Sequence, residues 1–73
     1  MTRAVNIDAL PADVIAMAAK HNAVISAIEA LAPSGTRVVF QNAAGAASIA
    51  AAFGALVIEG PVTRVPWKQQ RVD

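Results

Sequence analysis

The chain lacks cysteine and tyrosine altogether, and its 73 residues include one histidine, one tryptophan and two phenylalanines. Without cysteine it has no disulfide framework, no thiolate nucleophile and no thiolate metal site. One histidine cannot build a multi-histidine zinc site. Charge is also scarce: charged residues make up 15% of the chain, and six basic against five acidic residues give a net charge of +1. We therefore expect no bound metal, no cofactor and no strong positive electrostatic potential that would attract polyanions.

Apolar residues are abundant, at 56% of the chain, which excludes intrinsic disorder. Eighteen residues are alanine, and burying alanine gains little because hydrophobic stabilisation scales with apolar area. A chain of this length buries only about 60% of its unfolded surface. The free energy gained from apolar burial therefore barely exceeds the entropic cost of ordering the chain. The sequence predicts one small domain over residues 1–73, with residues 1–9 as an arm and 67–73 as an extended tail. Association with other chains is the expected source of additional stability.

Residues 11–31 predict a single amphipathic helix. Pro11 suits the first helical position, and Asp13 places an acid in the first turn, where the helix dipole favours it. Apolar residues then recur at alternating steps of four and three, as in a heptad repeat, with a histidine at one position. Pro33 and Gly35 predict the end of the helix. This heptad stripe consists of Leu10, Val14, Met17, His21, Val24, Ile28 and Leu31.

A strand and a second helix are expected to follow. Residues 37–41 are β-branched and aromatic, which is typical of a strand. Residues 43–54 are rich in alanine and predict a helix, with Asn42 as its N-terminal cap and Gly54 as its C-terminal cap.

Two more apolar runs complete the predicted order of elements. Residues 56–58 predict a buried strand, so residues 37–58 would form a short βαβ unit. Residues 62–65 predict a further strand, which Pro66 would restrict to a sheet edge. The expected fold class is α/β, or a small α+β domain, in the order helix, strand, helix, strand and a further strand.

A membrane span is a second alternative for part of this region. The 21 residues between Arg37 and Glu59 carry no charge, and their mean hydropathy of roughly 1.7 is in the range of spanning helices. Gln41 and Asn42 lie inside the stretch, and its start favours a strand over a helix. Residues 1–9 lack the apolar core of a secretory signal. We therefore expect a cytoplasmic protein rather than a membrane protein.

Catalytic and ligand-binding patterns are weak. His21 could pair with Glu29 or with a carboxylate of a partner, but a simple hydrogen-bonded histidine is the more ordinary interpretation. Residues 42–48 lie at a strand-to-helix junction, as phosphate-binding loops do, yet they match no phosphate-binding motif, and close packing explains Gly45. The carboxylates are scattered, and no nucleophile pattern is present. We expect no enzymatic activity and no small-molecule substrate.

The only basic cluster is C-terminal. Trp67 lies among its basic residues and could stack on a nucleobase or anchor a protein contact. Nucleic-acid binding is therefore an alternative function, although no recognised nucleic-acid-binding motif accompanies the cluster. Its basic residues are Arg64, Lys68 and Arg71.

The leading hypothesis is a non-enzymatic interaction protein that forms a homo-oligomer or joins a larger assembly as a subunit or adaptor. Its size, alanine content and element order are typical of many short bacterial and bacteriophage proteins. Partner proteins are the expected ligands, with nucleic acid as the alternative. The expected protein interface consists of Val14, Met17, His21, Val24 and Ile28, with Trp67 as a second anchor.

Overall fold

A computed structural model describes residues 3–32, 34–60 and 62–64 of the chain. It confirms the expected mixed class, in its small α+β form. The predicted tail, residues 67–73, lies outside the described residues together with Trp67, Lys68 and Arg71. In chain order, the elements are β1 (Ala4–Ile7), α1 (Pro11–Lys20), β2 (Ile25–Ala32), β3 (Thr36–Phe40), α2 (Ala43–Phe53), a 3₁₀ turn (Gly54–Leu56) and β4 (Thr63–Arg64).

The sheet has the strand order β1-β3-β2-β4, and each neighbouring pair is antiparallel. Because β1 and β2 both run antiparallel to β3, they point in the same direction on its two sides. Helix α1 therefore makes the crossover between β1 and β2, with β3 inserted between them. The predicted arm at residues 1–9 thus contains an unforeseen strand, Ala4–Ile7, which pairs with the middle strand of the sheet.

The βαβ unit predicted over residues 37–58 forms only in part. Residues 36–40 do form a strand, but no named strand follows α2 until β4 in the part of the chain that the structure describes. At 56–58 the chain makes one isolated antiparallel bridge, between Val57 and Ile7. Because β1 is also antiparallel to β3, residues 56–58 run in the same direction as β3 on the far side of β1, but they form this single bridge instead of the predicted strand.

The helix predicted over residues 11–31 is wrong in its second half. Helix α1 begins at Pro11 as predicted but ends at Lys20. Asn22 adopts a left-handed conformation with φ 57°, and the N–H groups of Asn22 and Ala23 bond back to the carbonyls of Ala19 and Ala18 at 3.2 and 2.9 Å. This pair of bonds is the Schellman pattern that closes helices. The rest of the predicted helix becomes strand β2.

The core lies between one face of the sheet and the two helices. Side chains alternate along the strands, so Val5 and Ile7 of β1 and Val38 and Phe40 of β3 point to the same buried side. The register places Val5 opposite Val38 and Ile7 opposite Thr36. The helices cover this face with Val14, Ala18, Ala46 and Ile49, which are all buried.

Helix α2 confirms the sequence prediction almost residue for residue. It spans Ala43–Phe53, and the Asn42 side chain accepts a 2.8 Å hydrogen bond from the Gly45 N–H. Gly54 follows as the C-terminal cap. The uncharged stretch between Arg37 and Glu59, considered above as a membrane span, does not form one helix but is divided mainly between strand β3 and helix α2. None of the helices in the described residues is long and apolar enough to cross a membrane.

Candidate functional site

The residues of the predicted interface do not share one surface. Val14 is fully buried in the chain's own core, and Met17 and Ile28 pack partly against that core. His21 and Val24 are exposed. The stripe separates because its first part lies on α1 and its last part on β2, where the 3.6-residue period no longer applies.

An open groove of about 390 Å³ instead lies beside α1. One wall is the side of α1 that carries Asp13, Ala16, Met17 and Lys20. The other wall and the floor come from three apolar side chains. These are Ala9 before α1, Phe53 at the end of α2 and Leu56 in the 3₁₀ turn.

Two hydrogen bonds hold the floor of the groove in place. The N–H of Asp8 donates to the carbonyl of Leu56 at 2.8 Å, which ties the 3₁₀ turn to the end of β1. The buried hydroxyl of Thr36 donates to the carbonyl of Ala9 at 2.8 Å. The groove therefore rests on the sheet through two bonds that join segments far apart in the sequence.

The groove combines an apolar floor with two opposite charges at its rim. Asp13 and Lys20 are seven residues apart on α1, which is about 10 Å along the helix axis at 1.5 Å per residue. Both residues are exposed, and neither has an ion-pair partner among the residues that the structure describes. Leu56 is 46% exposed in the groove, and Leu10, beside Ala9 in sequence, is 67% exposed.

The other titratable residues in the described parts of the chain do not form a metal site, because no group of three metal-ligating side chains comes together there. Glu29 and Arg37 face each other across β2 and β3, with 4.0 Å between Oε2 and Nη1. His21 lies exposed just after α1, while Glu29, its suggested partner, belongs to the outer face of the sheet.

The loop at residues 42–48 serves packing and capping. The Gly45 N–H, which a phosphate would need, is already bonded to the Asn42 side chain. A Cβ added at Gly45 would lie 3.4 Å from the Cβ of Ala23, so the glycine lets α2 approach the segment before β2 closely. Of the predicted basic cluster, Arg64 belongs to β4, and Lys68 and Arg71 lie outside the described residues.

Sequence reasoning found Met17 but missed the other side chains of the groove. The sequence could have indicated Asp13 and Lys20 as groove residues, because they lie on the same side of the predicted helix as Met17. Phe53 falls in the predicted helix and Leu56 in the predicted strand at 56–58, and the sequence contains no pattern that brings the end of α2 beside α1. That meeting is a tertiary contact.

Comparison with known proteins adds no assignment. No protein-family model matches the chain, and neither a curated protein nor a solved structure is significantly similar to it. The class of the protein is therefore defined by its fold and groove alone: a small α+β domain in which two helices cover one face of an antiparallel sheet.

Proposed function

We propose that the protein is a non-enzymatic interaction module that binds an apolar, charge-bearing segment of a protein chain along the α1 groove. The observation that carries this proposal is the apolar floor exposed between two opposite charges, Asp13 and Lys20, which form no ion pair with the other described residues. Apolar surface surrounded by polar groups is typical of protein contact sites.

The geometry favours a protein segment over a small molecule. The groove is open to solvent, whereas small-molecule sites enclose most of the ligand surface. Its two charges lie about two helical turns apart, a spacing that matches charges along a second helix. Leu56 exposes apolar surface within the groove, and Leu10, next to the groove residue Ala9 in sequence, is also exposed.

A photoreactive amino acid placed at Ala16 tests this proposal in cells of the source organism. Ala16 is exposed and lines the groove, while the matched control, Ala44, is an exposed alanine at the start of α2. We expect several times more crosslinked protein from position 16 than from position 44. Equal yields from the two positions would contradict the proposal.

Purified protein then tests whether the captured contact depends on the groove. Leu56→Asp adds a charge to the groove, and Ile15→Asp makes the same change on another side of α1, where the side chain is 50% exposed. We expect Leu56→Asp to weaken binding of the captured protein at least tenfold and Ile15→Asp to leave it unchanged. The expected cytoplasmic location belongs to the same proposal, and cell fractionation tests it.

A further inference from the structure

We infer that the partner in the groove is a second copy of this chain, with the two α1 helices packed antiparallel about a two-fold axis that passes between Ala16 and Met17. This inference rests on the proposed function and names its partner. It follows from the order of the side chains along α1, which is self-complementary when the helix is reversed.

The charges supply the first match. A two-fold axis between residues 16 and 17 places residue 13 of one copy beside residue 20 of the other, because the two numbers are equally far from the axis. Asp13 of each copy then meets Lys20 of the second copy, so one operation forms two ion pairs. These are the two rim charges that lack ion-pair partners in the described parts of the single chain.

The reversed orientation is the one that the charges select. If the helices packed in parallel, Asp13 would face Asp13 and Lys20 would face Lys20, and like charges at an interface are repulsive. The antiparallel arrangement also opposes the two helix dipoles. A two-fold contact uses the same surface on both copies, so a self-complementary helix face is what such an interface requires.

The small side chain of Ala16 supplies the second match. Ala16 is exposed, lines the groove and lies next to the proposed axis, so it permits close approach of the two backbones. Leu56, which is 46% exposed in the groove, offers apolar surface for the second copy to cover.

A single engineered cysteine tests the position of the axis, because the natural chain contains none. In Ala16→Cys, the two thiols would lie beside the axis, within the Cα separation of less than about 7 Å that a disulfide needs. Ala44→Cys is the matched control, and its place in the first turn of α2 favours the reactive thiolate. Under mild oxidation at micromolar concentration, we expect at least a tenfold higher yield of disulfide dimer from position 16. Equal yields, or a higher yield from position 44, would overturn the inference.

Charge reversal tests the orientation. Asp13→Lys and Lys20→Asp each turn two attractive pairs into two repulsive pairs, and we expect either variant alone to dimerise about tenfold more weakly. The double variant Asp13→Lys/Lys20→Asp restores both pairs and should dimerise like the natural chain. It also carries both unfavourable helix-dipole changes, so its recovery cannot come from a more stable helix. If the double variant stays as weak as the single ones, the antiparallel pairing is wrong.

The two proposals fail in different ways. If the crosslinker at Ala16 captures a different protein and sedimentation of the natural chain shows only monomer at 100 μM (on the order of the weakest specific contacts), the second-copy inference is overturned and the proposed function stands. If position 16 captures no more protein than position 44, both are overturned.

Discussion

The hydroxyl of Thr36 donates a 2.8 Å hydrogen bond to the carbonyl of Ala9, and Thr36 is fully buried. Thr36 lies in β3, the strand between β1 and β2, while Ala9 lies in the link from β1 to α1 and lines the groove. The bond therefore fixes the wall of the groove to the middle of the sheet. It also satisfies a hydroxyl that would otherwise be unpaired in an apolar core.

Thr36→Val tests the energetic value of this bond. Valine has nearly the same shape but cannot donate, so the carbonyl of Ala9 loses its partner while the packing is kept. We expect the free energy of unfolding to fall by about 1–2 kcal/mol, measured by urea denaturation with circular dichroism. Unchanged or higher stability would show that the bond contributes nothing.

Val14→Ala and Val24→Ala make the same change at two positions of the predicted stripe. Val14 is fully buried between α1 and the sheet, whereas Val24 is 55% exposed. We expect Val14→Ala to lower the free energy of unfolding by about 2 kcal/mol, from lost apolar burial and the cavity left behind. Val24→Ala should change it by less than about 0.5 kcal/mol. Thermal melts of the two variants under identical conditions give the comparison, and similar losses at both positions would contradict the placement of the core.

Substitutions of Asn22 test whether α1 ends at this residue. Its φ of 57° is costly for residues with a Cβ, although asparagine tolerates it better than most. Asn22→Ala should lower the free energy of unfolding by about 1 kcal/mol, and Asn22→Gly should keep or raise it. If alanine proves as stable as asparagine and glycine in chemical denaturation, the helix does not end here.

Alanine substitutions at Gly35 and Gly60 distinguish the cost of backbone strain from the cost of a steric contact. Their φ values are 105° and 107°, so an alanine at either position is strained. A Cβ at Gly35 would also lie 3.0 Å from the carbonyl oxygen of Ile7, whereas a Cβ at Gly60 would meet none of the described residues within 4 Å. We expect Gly60→Ala to lower the free energy of unfolding by about 1–3 kcal/mol and Gly35→Ala to lower it more. Equal losses in urea denaturation would mean that the β2–β3 turn absorbs the contact without cost.

The local signals in the sequence were sufficient where a single residue type has a specific backbone role. Pro11 marks the first residue of α1, and Asn42 and Gly54 flank α2 as predicted. These residues act on the few backbone groups next to them, so their effect does not depend on the rest of the fold. Strand β3 was predicted for a similar reason, because its β-branched and aromatic run suits a buried strand.

The predicted long helix failed because its periodicity was accidental in its second half. Ile28 continues the heptad spacing, but its side chain packs against the core from β2, opposite Val38 of β3. One apolar residue at helical spacing fits a strand face equally well when its neighbours, here Ala27 and Glu29, are small or polar. Asn22 was a local signal for the helix end that the prediction did not use, because asparagine often takes the left-handed conformation after a helix.

The sequence by itself determined the mixed α+β class, the start of α1, both ends of α2, and the scarcity of groups able to perform catalysis. These properties depend on composition and on contacts within a few residues. Only the tertiary structure decided that β1 joins the sheet, that the stripe divides between core and surface, and that Phe53 and Leu56 meet α1 to form a groove. Those outcomes come from burial and from hydrogen bonds between segments far apart in the chain, such as that between Thr36 and Ala9, and no local pattern encodes which distant segments will pair.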